Sequence, residues 1–399
     1  MHNETRSWTD FLAAGVSQDT SRSKSGKRAL QQAVRRRSRI QLQYPSLYRF
    51  MSIRALVRVI LLLLWFPAAF FPPAFAAAAP DPVRTARFWG ESWRERPWPE
   101  RLRPAPAELI AYLTLENERA GFSERPRPAD PSPEFGRALA GIAARLPDPV
   151  GRLAATGLVG VFLVDGLGST GFCETVLDDR GRESFIFIVL DRGLLIKTRA
   201  NAWATWKENS AFRPDPEAGP DLSLIIETPE GDTPLNAIRY IMLHELGHAL
   251  GLLSRAHPSW SPDQGPLRLD GPFTRLSWQA GPDGRPVSRF DDVFPERKAL
   301  RFYGFERAGL SRNQIMDTYD HLSRSTNFAS LAAAASLWED FAESFATWVH
   351  VVLDDRPWQV RLERKGRTAT VIESCWRKDR CPEKRAFMET WFRDPSSLR

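Results

Sequence analysis

Two histidines and a glutamate stand close together in the segment His244-Glu245-Leu246-Gly247-His248. Histidines four positions apart on a helix lie on one face, one turn apart, where both imidazoles can bind the same Zn²⁺. The glutamate beside them can reach a metal-bound water and act as its general base. The spacing therefore predicts a zinc site with His244 and His248 as ligands and Glu245 as the catalytic base.

A catalytic zinc site needs a third protein ligand and leaves one position to water. The segment Trp338–Phe345 places Glu339 and Glu343 one turn apart on a predicted helix that is otherwise largely apolar. Buried carboxylates are costly without a partner, and a metal held together with the histidines would be such a partner. Both glutamates face the same way, so either can be the ligand and the other the carboxylate that orients a ligand histidine.

A weaker alternative places the third ligand directly after the first motif. The metzincin spacing requires a histidine at position 254, which is a serine here, and the next histidine is His257. Gln314–Asp317, around Met316, has the look of the Met-turn of that type. His350 follows Glu339 by 11 residues, about 16 Å along a straight helix, so we expect it to have a structural role.

The two segments together resemble the zincin metallopeptidases of the gluzincin type, including the variant in anthrax lethal-factor-like toxins. The resemblance covers about 30 residues, in two blocks about 90 residues apart. It implies an α+β, zincin-like fold, in which a small mixed β-sheet accompanies an active-site helix and a second, glutamate-bearing helix. It also implies Zn²⁺ as the cofactor, a peptide or protein as the substrate, Glu339 as the third ligand and Glu343 as the orienting carboxylate, or these two roles exchanged.

The resemblance leaves the oxyanion stabiliser without a matching motif. Tyr319 and His321, in the segment Met316–His321, are candidates by chemistry alone, because a phenol or an imidazole can donate to a developing oxyanion. The fold resemblance also implies that the strand at Leu222–Glu227 holds an extended peptide by edge pairing.

The elements that carry these groups follow from hydrophobic patterning. Apolar or β-branched runs predict strands at Leu158–Val164, Ser184–Asp191 and Leu222–Glu227. Thr233 and Pro234 predict the start of an amphipathic helix that ends before Pro258. Further helices are expected at Glu108–Glu118, Leu194–Lys207 and from Ser330 to about Leu353, with a hairpin formed by Trp358–Glu363 and Thr368–Glu373.

These elements suggest a division of the chain. Residues 80–150 are expected to form an N-terminal helical or wrapping segment, or a propeptide. Residues 151–355 are expected to form the zincin-like metallopeptidase domain, with a long polar insertion at 258–330, and residues 356–399 a C-terminal hairpin and tail.

The net charge of +7 belongs to the front of the chain. Residues 80–399 contain 43 basic and 45 acidic side chains, so they give no indication of nucleic-acid binding. Residues 51–79 have the layout of a secretory signal peptide: two arginines, the apolar run Val59–Phe66 and small residues around Ala76. Residues 1–50 are expected to be an extra leader or a mis-assigned start.

Export is consistent with the cysteines, because Cys375 and Cys381 can close a small disulfide loop in an oxidising compartment while Cys173 stands alone. We expect a periplasmic or secreted protein with no membrane span after signal cleavage, and a membrane-anchored one if the signal is retained. The predicted activity is peptide-bond hydrolysis. The alternatives are a zinc-binding scaffold or inactive metallopeptidase relative, and a hydrolase of cell-wall amide bonds.

Overall fold

The computed structural model describes residues 81–214, 219–260, 267–303, 308–364, 366–377 and 380–396. The predictions of a leader and a signal peptide fall on residues 1–79 and therefore lie outside the described residues. Residues 80–399 pack as one unit. In the described ranges, no helix has the length and apolar character needed to cross a membrane.

Helices and strands alternate along most of the chain. The α-helices are α1 (Ala86–Trp89), α2 (Ala107–Ala120), α3 (Pro133–Ala143), α4 (Asp148–Gly157), α5 (Arg192–Leu195), α6 (Ala200–Asn209), α7 (Pro234–Ser254), α8 (Thr274–Ser277), α9 (Ile315–Ser325), α10 (Leu337–Trp348) and α11 (Pro382–Arg393). The strands are β1 (Leu102–Pro104), β2 (Arg127–Pro128), β3 (Leu158–Asp165), β4 (Gly171–Leu177), β5 (Glu183–Asp191), β6 (Asp221–Ile225), β7 (Trp278–Ala280), β8 (Pro286–Ser288), β9 (Gln359–Arg364) and β10 (Arg367–Glu373).

The main sheet has the strand order β1-β3-β5-β4, and β2 also pairs with β3. β1 and β5 run parallel to β3, whereas β4 runs antiparallel to β5 and forms an edge of the sheet. One face packs on a core that includes Trp89, Leu109 and Phe162, and the other face packs on α7. The prediction of an α+β protein with a small mixed sheet is confirmed.

The N-terminal segment is built into this sheet. Its strand β1 pairs with β3 from Leu102 opposite Val161 onward. Trp89 and Trp93 are buried in the core, and the predicted helix at Glu108–Glu118 lies within α2. Residues 81–150 therefore contribute both hydrogen-bonded strands and core side chains to the unit that contains α7.

The predicted strands before α7 all form, but the helix expected at Leu194–Lys207 is divided into α5 and α6. At the start of α6, the carboxylate of Asp232, which is distant in sequence, accepts hydrogen bonds from the Asn201 backbone N–H and from Arg199 Nε. It thereby satisfies one of the backbone donors that a new helix leaves unpaired in its first turn.

A second sheet has the order β10-β9-β6 and contains the predicted hairpin. The outer edge of β6 is covered by α6, where Asn201, Thr205 and Asn209 lie one turn apart. Asn201 accepts from the Ile226 backbone N–H, Thr205 accepts from that of Leu224, and Asn209 donates to the Leu222 carbonyl. The expectation that this strand pairs with a peptide is therefore wrong, because its edge groups are already bonded.

The C-terminal region contains the helix α11, which was not predicted from the sequence. The predicted Cys375–Cys381 disulfide is formed immediately before it, and Cys173 is free. Trp391 of α11 is fully buried, with its ring centroid 5.4 Å from that of Phe341 on α10. The region after residue 356 is therefore packed against the glutamate-bearing helix and is more than a hairpin and tail.

Candidate metal centre

The two helices that carry the sequence motifs cross at very close range. α7 begins as predicted, with Thr233 accepting from the Asn236 backbone N–H at 3.4 Å. It is buried on nearly all sides, unlike the amphipathic helix expected. A Cβ added at Gly247 would lie 2.7 Å from Ala342 Cα on α10. Glycine at this position therefore lets the backbone of the HELGH segment approach the EDFAE segment.

The close crossing brings together His244, His248 and Glu339. Their nitrogen and oxygen atoms form a cluster that can hold a metal ion. The two histidine Nε2 atoms are 3.2 Å apart, and the Glu339 carboxylate oxygens lie 3.4 Å from His248 Nε2 and 3.5 Å from His244 Nε2. Ligands of a tetrahedral zinc, with bonds of about 2.0–2.1 Å, are about 3.3 Å from one another. The spacing and the donor types therefore fit a divalent metal ion.

The charges of the cluster also fit a metal ion. Burial alone would raise the pKa of Glu339, but the two histidines outweigh it and lower the pKa to about 2, so this carboxyl group is ionised. Its Oε2 atom has no hydrogen-bond partner in the described part of the chain. An ionised carboxylate with an uncommitted buried oxygen, facing two imidazoles, is the arrangement that a metal ligand requires.

Glu343 lies behind this cluster and is held by three groups. Lys207 Nζ donates to its Oε1 atom, Ser330 Oγ donates to Oε2 at 2.6 Å, and His244 Nδ1 is 2.7 Å from Oε1. Burial alone would raise the pKa of Glu343, but Lys207 and His244 lower it below its usual range. Both carboxylate oxygens of Glu343 are therefore committed, and Glu343 contacts the His244 ring from the side of Nδ1 while Glu339 faces Nε2.

Glu245 is positioned next to the cluster and against the edge of the main sheet. Its side chain is buried, and a Cβ added at Gly171 on β4 would lie 2.3 Å from its Oε1 atom. Burial raises the pKa of Glu245; His244 and His248 oppose this shift. Glu245 is therefore a buried carboxylate with a raised pKa that lies beside the histidines and against the edge strand β4.

The other two buried histidines are not part of the cluster. His257 Nδ1 lies 2.9 Å from the Pro258 carbonyl, and its ring packs so closely on Gly251 that an added Cβ would be 2.6 Å from Nε2. Burial lowers the pKa of His257 to about 4. The metzincin-type alternative with His257 as ligand is therefore not supported. His350 is structural, as expected, since its Nε2 donates to the Ile226 carbonyl at 2.7 Å.

The two predicted oxyanion donors, Tyr319 and His321, are each paired with a glutamate that is not a member of the candidate metal cluster. Tyr319 is fully buried and donates its hydroxyl hydrogen to Glu208. His321 Nδ1 is 2.8 Å from Glu296, and its ring lies beside Phe294. A fully buried phenol that is engaged by a carboxylate cannot reach a substrate without rearrangement, so Tyr319 does not fit this role. His321 is held within the insertion by Glu296.

A different tyrosine, Tyr303, packs on α6, the helix that also carries Lys207. Burial raises the pKa of its phenol; Lys207 opposes the shift, and Glu339, Glu343 and Glu245 add to it, so the hydroxyl lies within the field of these groups. Its backbone has a φ of 63°, and its ring centroid is 5.8 Å from that of Trp206. A non-glycine residue in this conformation is uncommon and often functional. Tyr303 lies in the polar insertion, where no hydrophobic periodicity marks it as a site residue, so it was not predicted from the sequence.

The Glu208–Tyr319 pair leads to a testable pH dependence. Burial raises the pKa of Glu208 to about 7, although Tyr319 and Lys207 oppose the shift. The folded protein keeps this proton at pH values where the unfolded chain has lost it. The contribution of the Glu208 proton to folding stability is complete below pH 4.5, the ordinary pKa of a glutamate side chain. It is lost as the pH rises through about 7.

Glu208→Gln, which cannot ionise, should therefore gain stability relative to wild type as the pH rises from 5 to 8, by about 3 kcal/mol. Urea unfolding of both proteins at the two pH values measures the difference. An identical difference in free energy of unfolding at pH 5 and pH 8 would contradict the assignment of a raised pKa.

Comparisons with protein-family models, with curated proteins and with solved structures find no match to this chain.

Proposed function

We propose that this protein is an exported, zinc-dependent peptidase with a zincin-like site. The observation that carries the proposal is the convergence of His244, His248 and Glu339 beside the buried carboxylate of Glu245. Two imidazoles and one carboxylate at tetrahedral spacing suit Zn²⁺, and the Glu339 side chain is 27% exposed, which leaves an approach for water or substrate.

The site has the composition of a catalytic centre. Structural zinc sites have four protein ligands, whereas catalytic sites have three and an open position. In the described ranges, the only group of side chains of the metal-binding types that converges in this way has three members. This count favours an enzyme over the alternative of a scaffold that keeps a structural zinc.

The reaction follows from the roles of the surrounding residues. A bound Zn²⁺ would act as a Lewis acid toward the scissile carbonyl and as an activator of water. Glu245 accepts one proton of the attacking water as the water oxygen bonds to the carbonyl carbon. It delivers this proton to the leaving amine as the C–N bond breaks. Tyr303 is the candidate donor to the developing oxyanion, in place of Tyr319 and His321.

The edge strand β4 provides a path for an extended substrate. Its antiparallel partner is β5, and beyond this pair the described residues give it one isolated bridge, between Leu177 and Thr85. The opposite end of β4, at Gly171, lies against Glu245. A peptide that adds to this edge would pass the general base, and main-chain hydrogen bonds would supply affinity. The Cys375–Cys381 disulfide supports export to an oxidising compartment.

The test is hydrolysis by the full chain, with its bound metal measured in parallel. We expect cleavage of a mixed peptide library, loss of cleavage after removal of the metal with a chelator, and recovery on addition of one equivalent of Zn²⁺. A second arm with cell-wall muropeptides separates amide hydrolysis in the cell wall from general peptide hydrolysis. Stoichiometric zinc without turnover in either arm would support the scaffold and overturn the peptidase.

A further inference from the structure

Lys207, on α6, is a buried lysine. Its ammonium group donates to Glu343, the carboxylate that contacts the candidate metal ligand His244. Its side chain is 2% exposed, as is that of its partner Glu343. The ammonium group also lies 5.4 Å from the centroid of the Trp203 ring. Burial alone would lower the pKa of Lys207, but Glu343 raises it above its ordinary value, so the ammonium form is kept. Lys207 was not a predicted site residue.

The buried Lys207–Glu343 ion pair contributes little net stability to the fold. Removing two charges from water is costly for each ion, and the attraction between them roughly offsets this cost, so an apolar pair of similar volume is often at least as stable. The ion pair is therefore a poor explanation of stability by itself. Its specific consequence is the position of Glu343, whose carboxylate it holds in place together with Ser330.

Glu343 transmits this constraint to a metal ligand. Its Oε1 atom meets both Lys207 Nζ and His244 Nδ1, and its Oε2 atom is held by Ser330. His244 Nδ1 lies 2.7 Å from Glu343 Oε1, and its other ring nitrogen, Nε2, lies 3.5 Å from Glu339 and 3.2 Å from His248. Lys207 and Ser330 occupy the oxygens of Glu343, and Glu339, one turn earlier on α10, is the carboxylate that joins the cluster.

We propose that Lys207 is a positioning residue, which through Glu343 fixes the His244 ring for metal binding and assigns the ligand role to Glu339. The proposal rests on the metal site of the proposed function and does not depend on peptide hydrolysis. Carboxylates that orient a ligand histidine change metal affinity by about 10- to 100-fold when they are removed. Loss of the cation that holds this carboxylate should have an effect of the same order.

The chain contains a matched control, a second buried ion pair whose carboxylate lies on α10 as that of Glu343 does. Lys384 of α11 and Asp340 of α10 form another buried ion pair, with both side chains 0% exposed. Trp278 Nε1 also donates to Asp340 at 3.0 Å, and the Lys384 ammonium lies 4.9 Å from the Phe328 ring centroid. This pair resembles Lys207–Glu343 in burial and charge, but within the described residues its partners include no ligand histidine.

The experiment measures zinc affinity of the full chain by competition with a chromophoric chelator. The variants are Lys207→Met, Glu343→Gln, the double variant with both changes, and Lys384→Met, each with a thermal unfolding curve. We expect Lys207→Met to weaken zinc binding by about 10- to 100-fold. Lys384→Met should lower the melting temperature but keep the wild-type zinc affinity within about twofold.

The double variant tests whether Lys207 influences zinc affinity through Glu343. It leaves no unpaired buried charge, so it remains informative even if Lys207→Met does not fold. If Lys207 acts through Glu343, the double variant should bind zinc like Glu343→Gln alone, within about twofold. A further loss in the double variant, wild-type affinity in Lys207→Met, or an equal loss in Lys384→Met would overturn the proposal. Wild-type protein that binds zinc without hydrolysing peptides overturns the peptidase alone, whereas failure to bind zinc overturns both.

Discussion

Glu245→Gln should abolish peptide hydrolysis and leave the metal bound. Glutamine has nearly the same shape as glutamate, so it can occupy the buried position beside Gly171 and the histidines. An amide cannot accept the proton of the attacking water, and general acid–base catalysis contributes about 10²- to 10⁴-fold to rates. Because the metal cluster is formed by His244, His248 and Glu339, zinc content should remain at one ion per chain.

The measurement is the cleavage rate of a peptide that the wild type hydrolyses, together with zinc content by elemental analysis. Glu174→Gln, on the edge strand β4, is a matched control, because the Glu174 carboxylate accepts a hydrogen bond from the Tyr112 hydroxyl, 2.8 Å away, and is not a member of the candidate metal cluster. The control should keep wild-type activity. Cleavage that persists in Glu245→Gln would show that another group is the base.

Glu339→Ala should remove zinc binding, with a loss larger than that of any other carboxylate variant. The Glu339 carboxylate is the only acidic group within ligand distance of both imidazoles in the part of the chain that the structure describes. A three-ligand site that loses its only anionic ligand keeps two neutral imidazoles, so we expect affinity to fall by more than about 100-fold, beyond the range for orienting residues.

Glu343→Ala and His257→Ala provide the comparison. Glu343→Ala should lose about 10- to 100-fold in zinc affinity, because the His244 ring remains but is no longer oriented. His257→Ala should bind zinc as the wild type does, since its ring packs on Gly251 and Phe341. A larger loss in Glu343→Ala than in Glu339→Ala would exchange the two roles, and loss in His257→Ala would restore the metzincin-type alternative.

The parts of this protein that were predictable from its sequence are those that depend on neighbours in the chain. Thr233 and Pro234 mark the start of α7 because capping and proline geometry act within one turn. The same helix geometry places His244 and His248 on one face whatever surrounds them. The hairpin β9–β10 and the strands β3 and β5 follow equally local patterns of apolar residues and turns.

The selection of partners across the fold could not be predicted in this way. Glu339 and Glu343 are equivalent by spacing, but in the fold the carboxylate of Glu343 is held by Ser330 and by Lys207, which lies 136 residues earlier in the chain. Likewise Tyr319 and Tyr303 are both phenols in one polar insertion, and packing buries the first against Glu208 while it places the second beside Trp206 of α6, the helix that carries Lys207. Burial and charge pairing between distant segments depend on how the helices and the sheet pack, and no local periodicity in the chain records that packing.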